Sequence, residues 1–167
     1  MTERAAELAQ KLIRNFNEVA LDHDQRAPLY DTMCARLGPG TVARKLGASI
    51  DTVAPGKMSC PYHAHHAQEE MFVIVQGTGT LRVADERLPV KAGDVIFIPP
   101  GPEYPHQLIN TSDAPLQYLS ISTRDTPEIV EYPDSDKFLA TAVLTDGTRF
   151  QALQKRNRDL DYWDGEP

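Results

Sequence analysis

Cysteine is scarce in this chain. Cys34 and Cys60 are the only two thiols in 167 residues, too few for a disulfide framework. Positive charge is short as well: 17 Lys and Arg face 24 Asp and Glu, a formal net charge of -7. With no basic patch in the sequence, nucleic acid is not an expected partner. No apolar run approaches the ~18 residues of a membrane-spanning helix, so no membrane partner is expected either. The N-terminus has no basic segment leading into an apolar core. A secretory signal is therefore not expected, and the cytoplasm is the expected compartment. There is no internal repeat, low-complexity tract or interdomain linker, and the length suits one domain.

Histidine, by contrast, is concentrated. The five histidines are His23, His63, His65, His66 and His106, so three fall within four consecutive positions. The surrounding stretch, 61–77, reads PYHAHHAQEEMFVIVQG. Side chains at i and i+2 of an extended chain share a face, so His63 and His65 can aim at one point. A helix would splay them by about 200°. Pro61 disfavours a helix interior, and 71–75 is rich in strand formers. The expectation is a strand through His65, a tight turn over 66–69 and a return strand from Glu70. On that strand Glu70, Phe72, Ile74 and Gln76 share a face. Two imidazoles and a carboxylate then meet at one end of a sheet, a donor set that suits a divalent metal. His66 takes the place of His65 only if the strand slips by one, against its alternation.

A second segment, 93–110, reads GDVIFIPPGPEYPHQLIN. Gly93-Asp94 turns into a strand over 95–98, and Pro99-Pro100-Gly101 closes it. His106 opens a further strand that can return it to the first three donors. Together the segments resemble the two motifs of the cupin superfamily. His63, His65, Glu70 and Gly77 match the first motif; Gly93, Pro99, Gly101, His106 and Asn110 match the second. Two departures lie in loops: Gly56 stands one residue further from His63 than the pattern asks, and four residues separate Gly101 from His106.

The resemblance covers about residues 46–121. It implies an all-β fold, the cupin jelly-roll barrel or double-stranded β-helix, over 41–123. An N-terminal helical segment, 1–40, precedes it and a C-terminal extension, 124–167, follows. It implies His63, His65, Glu70 and His106 as ligands of one divalent transition metal, with Zn, Mn, Fe, Ni and Co all compatible. It also implies a small-molecule ligand and a homodimer. Phe72, Ile74, Gln76 and Tyr104 are the candidate pocket residues. Tyr104 either donates a proton to a substrate oxygen or packs on the rim; Gln76 either binds substrate or ends a solvated strand.

Three functional readings follow. The HAHHAQEEMF run and the DYWDGE ending look like small bacterial cupins labelled sugar phosphate isomerases. That implies a metal-dependent isomerase of a small sugar or sugar phosphate, although no Arg-paired phosphate cradle is visible in the sequence. The others are a metal-dependent dioxygenase or lyase and a non-catalytic small-molecule-binding protein.

Elsewhere, 2–21 carries apolar residues at helical spacing, capped by Thr2. A short helix is expected over 29–37, stopped by Gly38-Pro39-Gly40, and strand from Lys45 onward. His23, between two aspartates, is expected in a loop. Strands are expected over 79–84, 88–90 and 116–123, the face of Tyr118 being open. A Pro-rich acidic stretch, 125–136, reads as an extended loop, and 138–143 and 148–153 as helix or strand. Cys60 should face away from His63. The tail 159–167, with Tyr162 and Trp163, reads as a docked cap.

Overall fold

Strand pairing dominates the architecture of the computed structural model, which describes residues 1–156 and 160–167. One α-helix, α1 (Glu3–Leu12), opens the chain. The Thr2 hydroxyl accepts the Ala5 N–H at 3.2 Å, and Lys11 Nζ donates to Glu7 across one turn at 2.6 Å. The helix ends at Leu12 rather than continuing to 21, because Ile13 is already extended. None of its residues is buried, so it lies on the outside.

The strands follow in order: β1 (Asp22–Arg26), β2 (Tyr30–Arg36), β3 (Leu46–Val53), β4 (Ala64–His65), β5 (Glu70–Gln76), β6 (Thr78–Val83) and β7 (Glu86–Lys91). Then come β8 (Val95–Ile98), β9 (His106–Ile109), β10 (Leu116–Thr123), β11 (Glu128–Tyr132), β12 (Lys137–Val143) and β13 (Arg149–Lys155). A six-stranded sheet has the order β1-β2-β3-β10-β5-β8; a four-stranded one β13-β12-β11-β4; a three-stranded one β7-β6-β9. Every strand pair within them is antiparallel. Inward residues of opposing strands, among them Val53, Ile74, Leu81, Leu108 and Leu116, form the core. This is the jelly-roll arrangement expected of the motifs.

β5 shows why its sequence alternates. Glu70, Phe72 and Ile74 are buried, while Met71, Val73 and Val75 are only half-buried. Gly77 follows with φ 86°, and a Cβ there would strike the Pro115 carbonyl oxygen, so only glycine fits.

Four local expectations are corrected. The 29–37 segment is strand β2, paired on both sides with β1 and β3; two ladders outweigh its local helix signal. His23 accordingly lies on β1, with Nε2 2.8 Å from Asp31 Oδ1. The Pro-rich 125–136 stretch is no simple loop, because β11 pairs with both β12 and β4. Segments 138–143 and 148–153, left open by pattern, fall in β12 and β13, which pair with each other. The tail is not a docked cap: Tyr162 is 85% and Trp163 69% exposed. Its first residue, Asp159, lies outside the described residues.

Candidate metal centre and its cavity

Two hairpin-like returns bring the donors together. His63 and His106 form an isolated bridge, each backbone N–H donating to the other's carbonyl at 3.2 and 2.7 Å. His65 lies on β4 and its carbonyl accepts the Gly101 N–H at 2.7 Å, tying the second motif's turn to the first. Glu70 opens β5. Its Oε2 is the common point: His106 Nε2 is 2.7 Å away, His65 Nε2 3.5 Å and His63 Nε2 3.8 Å.

Donor atoms of His63, Glu70 and His106 all lie within 4.8 Å of one another. His65 adjoins this group through Glu70; its ring centroid is 5.0 Å from that of His63 and 6.4 Å from that of His106. His66 is not among them, because its ring faces Glu131 at 3.0 Å.

The unused nitrogens are held as metal ligation requires. His63 Nδ1 faces the Pro61 carbonyl at 2.8 Å, and His106 Nδ1 the Tyr104 carbonyl at 3.1 Å. A carbonyl only accepts, so each Nδ1 is placed to donate and each Nε2 faces the cluster, where a metal would take the place of the 2.7 Å contact between His106 Nε2 and Glu70 Oε2. Burial raises the Glu70 carboxyl, but the His106 hydrogen bond and the neighbouring imidazoles outweigh it, so the group sits below its ordinary value. Burial pushes His65 down, toward the neutral form a metal binds. An anionic carboxylate among imidazoles, with no thiolate, fits a divalent transition metal rather than a Cys-type structural zinc.

Sequence reasoning missed Glu128. This β11 carboxylate is 3% exposed. It accepts the backbone N–H groups of His66 at 2.9 Å, Ala67 at 3.4 Å and Gln68 at 2.7 Å, across the turn between the two ligand strands. Its Oε1 lies 3.8 Å from His65 Nδ1, a buried nitrogen without a hydrogen-bond partner among the described residues. Nothing local at position 128 signals this, since the contact spans more than half of the barrel's sequence.

A cavity of about 250 Å³ opens beside the donors. His63, Glu70 and His106 line one part of it; Ser49, Asp51, Ser59, Gln107 and Tyr118 line others. Asp51 accepts a 2.5 Å hydrogen bond from Ser49. Burial raises the Asp51 carboxyl, the Glu70 charge adds to this and the Ser49 hydrogen bond opposes it. Gln107 Nε2 donates to the Cys60 carbonyl at 2.6 Å, while its buried Oε1 has no partner among the described residues. Burial also lifts the Tyr118 hydroxyl well above its usual range.

Of the four pocket residues expected from sequence, only Phe72 lines this cavity. Ile74 shares its face but belongs to the core at 1% exposure. Gln76 is exposed at the strand end. Tyr104 is exposed and lines a separate recess near Phe97. Cys60, expected on the other face, lines the cavity with its Sγ 3.8 Å from His63 Nδ1. The reason is that 60–62 is irregular rather than a continuous strand, so alternation does not carry through it.

An antiparallel jelly roll with a His/Glu cluster at one end of its interior defines a class of small barrel proteins. The chain belongs to the cupin superfamily: residues 49–122 match the family of cupin domains. A cupin 2 conserved barrel domain protein from Salinispora arenicola is 31% identical, covers 66% of this chain and 86% of its own, and superposes with a TM-score of 0.54. A protein from Acidithiobacillus ferrooxidans, named a candidate sugar phosphate isomerase, covers 86% of this chain and 93% of its own at 26% identity and TM-score 0.72. Auxin-binding protein 1 of Arabidopsis thaliana is 30% identical over 133 residues, 74% of this chain and 64% of that protein. The chain spans 54% to 66% of the length of the curated relatives it matches. Among the described residues, no helix is long and apolar enough to cross a membrane.

Proposed function

We propose that the protein is a metal-dependent isomerase of a small sugar or sugar phosphate, with His63, His65, Glu70 and His106 holding the metal. The observation that carries this reading is the half-buried Asp51–Ser49 pair in the same cavity as the donor cluster. Isomerisation between an aldose and a ketose moves a proton from one carbon to its neighbour and needs a group that takes and returns it. When bound, a divalent metal polarises a carbonyl or hydroxyl oxygen. Asp51, its carboxyl raised by burial, is the group that takes and returns the proton. The Gln107 Oε1, free of other partners among the described residues, accepts a substrate hydroxyl. The tyrosine and serine hydroxyls of the wall supply further polar contacts to a hydroxylated ligand. The name of the Acidithiobacillus relative agrees with this chemistry.

The test is conversion of free and phosphorylated aldoses to ketoses by protein loaded in turn with Mn, Fe, Co, Ni or Zn. Turnover should be lost in Asp51→Asn while metal content is unchanged. Stoichiometric metal with no turnover across the panel would sink the isomerase reading. It would favour a ligand-binding role, the kind that the name of the Arabidopsis relative describes.

A further inference from the structure

We propose that Arg36, Arg124 and Arg149 form an anion subsite beside the metal cavity, one that takes the phosphate or carboxylate end of the ligand. These residues line a polar recess of about 370 Å³ together with Gln68 and Ser122. The recess and the metal cavity have Ser49 and Ser120 in common. Strand register explains the connection. Arg36 pairs with Ser49, Ser49 with Ser120, and Ser120 with Phe72, so the four stand in one transverse row on one face of the sheet. The next row holds Gly47, Ser122 and the metal-cluster carboxylate Glu70. Three strand spacings of about 4.8 Å separate the backbones of Arg36 and Phe72, a distance the long arginine side chain shortens. One small elongated ligand can therefore reach both poles.

The recess is built rather than incidental. A Cβ on Gly47 would lie 3.2 Å from Ser122 Oγ and 3.9 Å from Arg124 Cγ, so the missing side chain leaves the floor open. Its three arginines come from β2, from the residue after β10 and from β13, positions too far apart in sequence for a phosphate cradle to be read there. Among the described residues none of the three pairs with a carboxylate, whereas Arg4, Arg26, Arg82 and Arg156 each do. Three like charges gathered without counter-ions, in a chain of net charge -7, are favourable once an anion joins them. Guanidinium suits phosphate and carboxylate oxygens because it offers paired donors in a plane.

The subsite stands on the arginines; that its anion is the tail of an isomerised sugar rests on the function proposed above. Calorimetric titration of the full chain, its metal content measured alongside, uses ribose 5-phosphate, inorganic phosphate, oxalate and uncharged ribose. The variants are Arg36→Gln, Arg124→Gln and Arg149→Gln, with Arg87→Gln on β7 as the charge control. Each recess variant should weaken anion binding about tenfold or more, with metal content and melting temperature unchanged. Arg87→Gln should bind as the parent does. Tighter binding of ribose 5-phosphate than of oxalate assigns the subsite to phosphate, and the reverse order to carboxylate. Anion binding that all three recess variants keep, or that Arg87→Gln weakens equally, overturns the subsite. Arginine-dependent binding with no sugar turnover upholds the subsite and removes only the isomerase reading.

Discussion

Replacing Glu128 by alanine should loosen the metal centre from outside it. The carboxylate accepts N–H groups at 2.7 and 2.9 Å, and a third at 3.4 Å, from the turn that joins the two ligand strands. Hydrogen bonds to a charged group are worth about 1.5–3 kcal/mol each, and the two short ones together put the cost of Glu128→Ala at about 3–6 kcal/mol. That is a large part of the roughly 5–15 kcal/mol that holds a domain folded, so the urea midpoint should fall well below that of the parent. Glu128→Gln keeps one acceptor oxygen and should lose about half as much. His65 sits at the start of the same turn, so metal affinity should also fall, by about 10- to 100-fold, as when an outer partner of a ligand is removed. Urea denaturation gives the first quantity and competition against a chromogenic chelator the second. An unchanged urea midpoint in Glu128→Ala would refute the idea that this carboxylate organises the turn. An unchanged metal affinity with a lowered midpoint would separate stability from the metal site.

Three further outcomes follow from the cavity and the tail. Asp51 holds its proton more tightly folded than unfolded, so its contribution to stability is complete below its ordinary value of 3.8 and is lost as pH rises through the raised folded value. Asp51→Asn, which still accepts from Ser49, should therefore unfold at higher urea than the parent at neutral pH and at the same urea below that value; equal midpoints at both would contradict the burial argument. Burial pushes the Cys60 thiol up to about 12, so Ellman's reagent should leave it unmodified in the folded protein at pH 8 and label it in urea; labelling of native Cys60 seen by mass spectrometry would mean that the cavity is open to the reagent. Trp163 is 69% exposed, so its fluorescence should be quenched by iodide almost as fully in the folded as in the unfolded protein; strong protection would show that the tail docks after all.

The parts of this fold that announce themselves in sequence are those whose information is local. The strand over 116–123 is bounded by a Ser-Asp-Ala-Pro turn and begins and ends where expected. β5 and β8 are legible because alternation and Gly-Pro punctuation agree. The approach of His63 and His65 to Glu70 is legible because the two histidines are two apart and Glu70 begins the next strand. The strand within 29–37 is not legible because it depends on partners at 22–26 and 46–53, which its own composition does not reveal. Glu128, Asp51 and the arginine recess were hidden for the same reason. Each acts through cross-strand register, and only the paired sheets bring 36, 49, 120 and 124 to one place. Cys60 departs from strand alternation because the segment that holds it is irregular.

The convergence of three imidazoles on Glu70 Oε2 is most directly tested by the metal content of purified protein, measured by inductively coupled plasma mass spectrometry beside His106→Ala. We expect close to one divalent transition metal per parent chain and near none in the variant, with both proteins folded by circular dichroism. Equal metal in parent and variant, or a parent that binds none when offered Mn, Fe, Co, Ni or Zn, would show that this cluster is not a metal centre.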